Sequence, residues 1–501
     1  MDIQAVYLLL PLALGIIFIA RTIERRASKL PPGPWGLPVI GSLHRLGAKP
    51  HQSLAQLAGR HGPIMSLKLG QVTAVVISSA PAARLVLQKQ DHSFANRAIP
   101  DSISACGHDE VSVVWRPVSP RWRELRRICV SEIFSCHKME ACGGLRRDKV
   151  HQMVRDVSRI AALGEPVLIG EAAFRTMLSL ISCMVLSVDV ADGNSKAAAE
   201  FKKSFSGILE LAGVPNSVDY FPWLRMIDPQ RIRARMAAHF EKILRFTDSM
   251  IDERMRQKKL DQEQGSVSEN RDVLDTLVDI LLHEHSLTKK EANHLMLELF
   301  VAGTDTTSST VEWAMSEALR SPRILSRAKA ELVQVTGKGG RVEEKDIPRL
   351  PYLQAIVKET MRMHPPAPLL VPRTTLAQVD LGGFTIPKGA QIMVNVWAIG
   401  RDPGTWDSPE RFEPERFLGS DVDMRGGGGR FELVPFGGGR RMCPGIPLAS
   451  RMIHLMLGSL IHSFDWKLEG GAKMEDIDMD DKFGLSLQKA RPLRAVPLAP
   501  L

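Results

Sequence analysis

Cys443 lies in the segment Pro-Phe-Gly-Gly-Gly-Arg-Arg-Met-Cys-Pro-Gly at residues 435–445, a setting suited to metal ligation. The three glycines allow the backbone to approach a flat, bulky group, and Arg441 could reach an anionic substituent of that group. An apolar helical pattern follows from Ile446, with Pro444 suited to the first helical position, and the unpaired N–H groups of a helix start favour a thiolate. These are the requirements of a haem held by a cysteine thiolate.

A buried, inert cysteine beside a glycine turn is the simpler alternative. The spacing Phe436-x-x-Gly439-x-Arg441-x-Cys443-x-Gly445, however, resembles the haem-binding signature of the cytochrome P-450 monooxygenases. The resemblance implies that Cys443 is the axial ligand of the iron of haem b and that Phe436 and Arg441 also contact the haem.

A second motif lies at residues 302–307, which read Ala-Gly-Thr-Asp-Thr-Thr. This weak helix-forming run interrupts a long helical pattern that begins at a capping box, Thr288 to Glu291, and ends at Ser321-Pro322. Its hydroxyls could take over backbone bonds and bend the helix at Gly303. The run matches the oxygen-activation motif of the same family, which implies a proton relay through Asp305 and Thr306. A bent helix with an exposed acid is the alternative.

Further motifs follow in the order of the family. Trp122 and Arg126 stand four residues apart on a predicted helix, and the resemblance implies that both bind one haem propionate and that Arg373 binds the other. Read without the resemblance, Trp122 and Arg126 are an exposed cation near a ring. The neighbouring Arg121, Arg123 and Arg127 would face outward toward an acidic redox partner; all five side chains are basic or aromatic.

Glu359 and Arg362 stand three apart on a helix predicted over residues 353–363. Such a pair is usually a surface salt bridge. By resemblance they form the Glu-x-x-Arg motif with Arg416 as third member, and they would lock the loop that presents Cys443. This role is structural and not catalytic.

The substrate pocket is predicted from positions that match substrate-lining segments of the family. Core packing would explain these mainly apolar residues nearly as well, and they suit a hydrophobic small molecule. They are Phe205, Leu209, Ala302, Leu369, Leu370, Val371, Phe483 and Leu485.

The N-terminus is read as a membrane anchor. Residues 5–20 are uncharged and mostly apolar, long enough for a helix of about 24 Å, and Arg21, Arg25 and Arg26 follow directly. A cleaved signal peptide fits less well because Asp2 precedes the apolar run and no small-x-small cleavage site follows it. We therefore predict a transmembrane anchor at 1–21, a basic and proline-rich hinge at 22–41 and a single catalytic domain at 42–501, facing the cytosol from the endoplasmic reticulum membrane.

Composition sets further bounds. The 501 residues carry a formal net charge of +9 and are 44% hydrophobic, consistent with a bulky core and an anionic partner or membrane surface. No nucleic-acid module accompanies the charge, so no nucleic-acid partner is expected. The six cysteines form no CxxC pair, which favours a reducing compartment. No GxGxxG occurs, so NADPH-derived electrons would have to arrive from NADPH–cytochrome P-450 reductase.

The predicted fold is mainly α with small β-sheets, the cytochrome P-450 fold, with haem between a long kinked helix and the cysteine loop. The segment Asn-Val-Trp-Ala-Ile-Gly-Arg-Asp-Pro at residues 395–403 resembles plant microsomal members, nearest to the group containing geraniol 8-hydroxylase and related diterpenoid hydroxylases. The predicted function is hydroxylation of a mono- or diterpenoid with O2. Alternatives are hydroxylation of an alkaloid or phenylpropanoid, an enzyme of the same fold that rearranges peroxides without external electrons, and a haem sensor or carrier.

Overall fold

The structure, a computed structural model, describes residues 29–191, 196–264, 272–284, 286–426, 429–471 and 473–498. The predicted anchor at 1–21 and the basic part of the hinge lie outside the described residues. The helices of the described chain are α1 Pro50–His61, α2 Ala80–Arg84, α3 His108–Val111, α4 Pro120–Arg127, α5 Cys136–Ala141, α6 Gly143–Leu163, α7 Ile169–Leu186, α8 Lys196–Ala212, α9 Ser217–Tyr220, α10 Ile232–Glu263, α11 Val273–Asp279, α12 Lys289–Arg320, α13 Pro322–Thr336, α14 Pro351–Met363, α15 Val396–Ile399 and α16 Ile446–Ser463.

The strands of the described chain are short and form small sheets at the edge of the helical body. They are β1 Ile64–Leu69, β2 Val72–Ile77, β3 Asn96–Arg97, β4 Val167–Leu168, β5 Arg373–Thr374, β6 Val379–Leu381, β7 Phe384–Ile386, β8 Gln391–Val394, β9 Asp465–Leu468, β10 Asp481–Lys482, β11 Gln488–Lys489 and β12 Arg494–Leu498. One sheet has five strands in the order β1-β2-β8-β5-β3, another has the order β4-β12-β9, and two are hairpins, β6-β7 and β10-β11. The prediction of a mainly α fold with small sheets is confirmed.

The long helix α12 runs through the middle of the molecule. It begins at the predicted capping box, in which the side chain of Thr288 accepts from the backbone of Glu291 and the Glu291 carboxylate accepts from the backbone of Thr288. It ends at Arg320, one residue before Ser321, as predicted. Almost all of its faces are buried, because it packs against α7, α10, α14 and α16. A helix buried on all sides can place functional side chains in the interior.

The helix α7 has one 18-residue window apolar enough to cross a membrane, but 67% of that window is buried inside the molecule. It is the main packing partner of α12. We therefore interpret α7 as a core helix. It packs against α12, the helix that carries residues 302–307.

The stretch 379–396, in which Gly-Gly and Pro-Lys-Gly breaks separate short apolar runs and so predict one small antiparallel sheet, forms that sheet only in part. Strands β6 and β7 pair antiparallel, with Val379 opposite Ile386. The third apolar run, β8, leaves them and pairs in parallel with β2, where Ala74 lies opposite Gln391. The reason is burial: Ile392, Met393 and Val394 are all buried, as expected for a central strand covered on both faces.

The proline-rich hinge is docked on the domain where it is described. The backbone N–H of Ser66 donates to Pro32 at 2.8 Å, and the Ser66 hydroxyl donates to Pro31 at 2.6 Å. This segment therefore lies along β1 and fixes where the chain enters the domain.

Candidate active site

The cysteine loop is closed by backbone hydrogen bonds and by glycine conformations. The N–H of Cys443 donates to the carbonyl of Phe436 at 3.0 Å. Gly437 and Gly439 both have positive φ, at 70° and 66°. A Cβ at Gly439 would lie 2.2 Å from the carbonyl oxygen of Leu87, so another residue could not occupy this position without moving the backbone.

The sulfur of Cys443 accepts backbone hydrogen bonds from Gly445 and Ile446 at the start of α16. The prediction that Pro444 occupies the first helical position is wrong: Gly445 is the N-cap, and Pro447 lies in the first turn. The two N–H groups are thereby left free for the sulfur. Burial nevertheless raises the pKa of Cys443, and these N–H groups and Arg126 offset only part of the increase. A bound cation would be needed to hold the thiolate.

The oxygen-activation segment lies within α12 without a break in the helix. The hydroxyl of Thr306 donates to the carbonyl of Ala302 at 2.8 Å, and that of Thr304 donates to Phe300 at 2.8 Å. Bonds of this kind bend a helix gradually. Ala302 and Thr306 retain accessible surface, whereas Thr304 and Asp305 are buried. The positions i and i+4 place Ala302 and Thr306 on one face of the helix.

Gly303 allows close helix packing. A Cβ at this position would lie 2.7 Å from Cδ1 of Ile181 in α7. The missing side chain therefore brings α12 against α7, while the face carrying Ala302 and Thr306 is left to a ligand.

Asp305 is buried next to this face, since it lies three residues after Ala302 on the same helix. Gln488 Nε2 donates to Oδ1 of Asp305 at 2.7 Å, and the hydroxyl of Ser486 donates to Oδ2. Burial raises the pKa of Asp305, and the two donors lower it in part. Both carboxylate oxygens are thus held by the C-terminal hairpin.

Four arginines converge beside the cysteine loop. Burial and the mutual repulsion of Arg97, Arg373, Arg441 and Arg126 lower the pKa of Arg97 well below its usual range. Burial and repulsion from Arg373 and Arg126 lower the pKa of Arg441 to about 10, while Glu298 and Asp91 offset part of the effect. Repelling, desolvated cations of this kind are a site for an anionic group.

This arrangement fits haem. The sulfur of Cys443, close to the start of a helix, could supply an iron ligand, and the charge of Cys443 acts on Arg126. The four arginines can neutralise two propionates. In this structure they bond to backbone carbonyls: Arg97 to Val371 at 2.5 Å and Arg373 to Gly438 at 2.9 Å. These bonds orient the guanidinium groups, and Arg373 is also ion-paired with Asp91 at 3.2 Å, so one carboxylate already lies against the cluster.

Trp122 and Arg126 lie on α4, next to the cysteine loop. Nε1 of Trp122 donates to the carbonyl of Val113 at 2.9 Å, Arg126 donates to Met442, and Arg441 lies over the indole ring at 4.4 Å. Both predicted residues are therefore in the arginine cluster. The prediction that Arg121 faces outward is wrong, because it is ion-paired with Glu291 at the start of α12. Arg123 and Arg127 are exposed.

The predicted triad Glu359, Arg362 and Arg416 is brought together. Arg362 forms two bonds of 2.7 Å to the Glu359 carboxylate, and Nε of Arg416 donates to Glu359 at 3.0 Å. Arg362 also donates to the carbonyls of Pro409 at 2.8 Å and Arg411 at 3.0 Å. The triad thus ties α14 to the chain that leads into the cysteine loop.

The predicted pocket residues differ in their surroundings. Phe205 is fully buried and packs against Phe174, Phe201 and Phe300, so it belongs to an aromatic core. Leu370, Val371, Leu209 and Phe483 are partly buried, Leu369 is buried, and Ala302 and Leu485 are exposed. A Cβ at Gly213 would lie 3.0 Å from the Cα of Gly484. The segment after α8 therefore packs closely against the turn that carries Phe483 and Leu485.

Glu298 on α12 was missed from the sequence. Its carboxylate accepts from the backbone N–H groups of Val113 at 3.0 Å and Val114 at 3.2 Å, and from the hydroxyl of Ser112. Arg441 donates to the carbonyl of Val113 at 2.9 Å. Glu298 thus holds the segment that joins α12 to the arginine cluster, and burial raises its pKa to about 7. No local signal in the sequence distinguishes this acid from a surface glutamate, because its partners lie 184 to 186 residues away.

Comparison with known proteins agrees with this geometry. The family profile described as Cytochrome P450 matches residues 31–493. A geraniol 8-hydroxylase from Swertia mussotii is 50% identical over 496 residues, covering 97% of this chain and 98% of that protein. A 7-ethoxycoumarin O-deethylase from Helianthus tuberosus is 50% identical over 478 residues, covering 94% of this chain and 95% of that protein. A zebrafish cytochrome P450 solved with abiraterone has a TM-score of 0.73 at 24% identity, covering 90% of this chain and 100% of that chain.

Proposed function

This chain belongs to the cytochrome P450 family, and we propose that it hydroxylates a mono- or diterpenoid. As a member of that family it is a haem-dependent monooxygenase that uses O2, electrons from a reductase partner and a hydrophobic substrate. The observation that carries the proposal is the near full-length similarity to a geraniol 8-hydroxylase. The sulfur of Cys443, the hydroxyl of Thr306 on α12 and the buried arginine cluster support it.

Haem, when bound, supplies the reductive activation of O2 and the insertion of one oxygen atom into a C–H bond. Cys443 would bind the iron and donate electron density through its sulfur. Arg97, Arg126, Arg373 and Arg441 would bind the two propionates, because these four cations meet at one place with, among the described residues, only the buried carboxylate of Asp91 paired to one of them, Arg373. Phe436 would fix the loop beneath the haem through the bond from Cys443 N–H.

Thr306 and Asp305 would deliver protons on the other face. The hydroxyl of Thr306 can exchange its bond to Ala302 for one to a ligand, since a single hydroxyl serves as both donor and acceptor. Burial raises the pKa of Asp305, which brings it nearer to neutral pH, where an acid can both take up and release a proton. Together they would form the relay from solvent to the oxygen side of the haem.

The substrate would lie over the face of α12 that exposes Ala302. Leu209, Leu369, Leu370, Val371 and the turn with Phe483 and Leu485 offer apolar surface suited to a terpenoid. Phe205 would act behind them as core. Excluding water from this pocket is the protein's part in directing the chemistry to one carbon.

The reductase would be NADPH–cytochrome P-450 reductase. Exposed cations on the cysteine side of the molecule support this choice, namely Arg123, Arg127 and Arg440. A basic face attracts an acidic electron-transfer partner over distances near the Debye length.

The bilayer proposal is supported by one apolar face. Trp35, Leu37 and Val39 are exposed beside the entry of the chain, and Trp223 and Met226 are exposed after α9. The two groups are connected: the N–H of Gly70 donates to Ile40 at 3.1 Å, and that of Gln71 donates to Tyr220 at 2.9 Å. A membrane surface would cover this face, with residues 1–21 as the anchor and the domain in the cytosol at the endoplasmic reticulum.

A second candidate function is oxidation of an aromatic specialised metabolite, favoured by the similarity to a 7-ethoxycoumarin O-deethylase. Membranes containing the chain and the reductase should be given NADPH, ¹⁸O2 and either geraniol, larger terpene alcohols or 7-ethoxycoumarin. The proposal expects a terpene alcohol product carrying one labelled oxygen and the highest kcat/KM for a terpenoid. Turnover of 7-ethoxycoumarin alone would favour the second candidate; its phenol product keeps the oxygen of the substrate, because the label leaves with acetaldehyde. A hydroxylated terpenoid without label would contradict a monooxygenase.

A further inference from the structure

The acid of the proposed relay is held by the C-terminal hairpin formed by β10 and β11. Gln488 Nε2 donates to Oδ1 of Asp305 at 2.7 Å, and the Ser486 hydroxyl donates to Oδ2. Asp305 and Ser486 are 4% and 1% exposed. Both carboxylate oxygens are therefore oriented by one segment 181 and 183 residues away in sequence.

The hairpin is fixed to α12 at further points that do not touch Asp305. Ser309 Oγ donates to the carbonyl of Leu487 at 2.8 Å, and Nε1 of Trp313 donates to the same oxygen at 2.9 Å. Four residues after the end of β11, the N–H of Leu493 donates to the carboxylate of Glu312 at 2.8 Å and holds the chain that leaves the hairpin. Because these bonds set the register of the hairpin, the contacts to Asp305 can be removed while the hairpin remains attached.

The same hairpin carries predicted pocket surface. Phe483 and Leu485 lie in the turn between β10 and β11, and Leu485 is 36% exposed. Ser486 follows Leu485 directly. A molecule that contacts Leu485 therefore acts one residue away from a donor to Asp305.

We propose that Ser486 and Gln488 are positioning residues for Asp305, and that they couple the pocket turn to proton delivery. The inference rests on the proposed relay. The two donors hold the carboxylate in one orientation, from which it exchanges a proton with water and Thr306. A substrate seated against Leu485 keeps the turn, and with it the acid, in place.

Other charged groups near the acid are few in the described chain. Glu312 lies on α12 two turns further on, where Asp305 raises its pKa, and Lys489 on β11 lowers the pKa of Glu312. Glu317 acts on Lys489 from the same helix, and Asp478 from the segment before the hairpin. Ser486 and Gln488 stabilise the ionised form of Asp305, so their removal raises its pKa further.

The test compares the double variant Ser486→Ala/Gln488→Ala with Ser309→Ala. Both remove hydrogen bonds between the hairpin and α12, but only the double variant affects Asp305. Each variant is combined with the reductase and a terpenoid that the wild type hydroxylates. Product formed per NADPH and peroxide released are measured between pH 6 and 9 and normalised to the amount of haem-loaded protein. Gln488→Ala alone serves as the milder variant if the double variant yields too little holoenzyme.

In the double variant, product formed per NADPH should fall, and most of the reduced oxygen should be released as peroxide. Its remaining coupling should also decline at a pH about one unit higher than in the wild type, since an acid with a higher pKa keeps its proton longer. Ser309→Ala should follow the wild type. The inference is overturned if the double variant or Gln488→Ala behaves like Ser309→Ala while Asp305→Asn is impaired. If Asp305→Asn itself keeps full coupling and the wild-type pH profile, the relay in the proposed function fails as well.

Discussion

At the scale of single residues, proton delivery depends on which hydroxyls of α12 face the ligand. Thr304 and Thr306 are neighbours that make the same kind of bond, each to the carbonyl four residues earlier at 2.8 Å. They differ in surroundings, since Thr304 is fully buried and Thr306 retains accessible surface. We therefore propose a chemical role for Thr306 and a role in helix geometry for Thr304.

Thr306→Ala should divert oxygen into peroxide. The product formed per NADPH should fall by about tenfold or more, because general acid catalysis is lost while reduction continues. Product, peroxide and NADPH are quantified in the same reaction. The matched control is Thr304→Ala, which removes the same bond from the buried face and should retain coupling. Equal coupling in both variants would refute the role of Thr306.

The residues that could be predicted from the sequence are those whose partners lie close by in the chain. Residues 302–307 and 435–445 carry their chemistry within one turn or loop. Arg97, Glu298, Ser486 and Gln488 could not be found this way, because their functions arise from partners more than 170 residues distant. A lone arginine or serine has no local pattern that distinguishes it from a surface residue.

Among the secondary-structure elements, α12 positions two parts of the site. Its Glu298 holds the segment beside the arginine cluster, and Ala302 and Thr306 form its accessible face. Its capping box and its end were predicted because capping depends on a few adjacent residues. The parallel pairing of β8 with β2 was not predicted, because a hairpin strand and a central strand both appear in the sequence as a short apolar run. The error at Pro444 has a similar cause, because the N–H groups bonded to Cys443 determine where α16 begins.

The buried Glu298 should make stability depend on pH. Its folded pKa is raised from 4.5 to about 7, so the folded state binds the proton more tightly, and this contribution is lost as pH rises from 4.5 through 7. Glu298→Gln should therefore gain stability relative to the wild type across this window, by at most about 3 kcal/mol. The difference in unfolding free energy is measured at pH 5 and pH 7.5.

The control for this prediction is Glu291→Gln on the same helix. Ion pairing with Arg121 lowers the pKa of Glu291 below 4.5, so its contribution changes only in more acidic solution. The difference between Glu291→Gln and the wild type should be constant from pH 5 to 7.5. A constant difference for Glu298→Gln would show that Glu298 does not titrate in this range.

At the scale of the whole molecule, the apolar face and the basic face define how the enzyme meets its surroundings. Trp223, Met226 and Ile227 belong to the apolar face, and they are 62%, 95% and 69% exposed, respectively. Trp35, Leu37 and Val39 belong to the same face and follow Lys29, where the described chain begins, by six to ten residues. The arrangement would place the pocket near lipid, from which an apolar substrate could enter.

Membrane binding should persist after the anchor is removed and depend on this face. In a variant lacking residues 1–28, Trp223→Ser/Met226→Ser/Ile227→Ser should lower partitioning onto lipid vesicles by about tenfold or more, since each buried apolar side chain contributes about 1.5–3 kcal/mol. Leu163→Ser is the control, because Leu163 is 71% exposed at the end of α6. Equal partitioning of the two variants would contradict the proposed membrane face.

Cys443 is proposed to be the thiolate ligand of haem iron, and the ferrous carbonyl spectrum reports this ligand. The purified wild-type protein and Cys136→Ser, which changes an exposed cysteine, should both show the red-shifted Soret band of thiolate ligation. Cys443→Ser should bind less haem and lack that band, because serine retains the backbone hydrogen bonds without the sulfur. A wild-type carbonyl complex without the red shift, or a Cys443→Ser variant that retains it, would contradict the assignment.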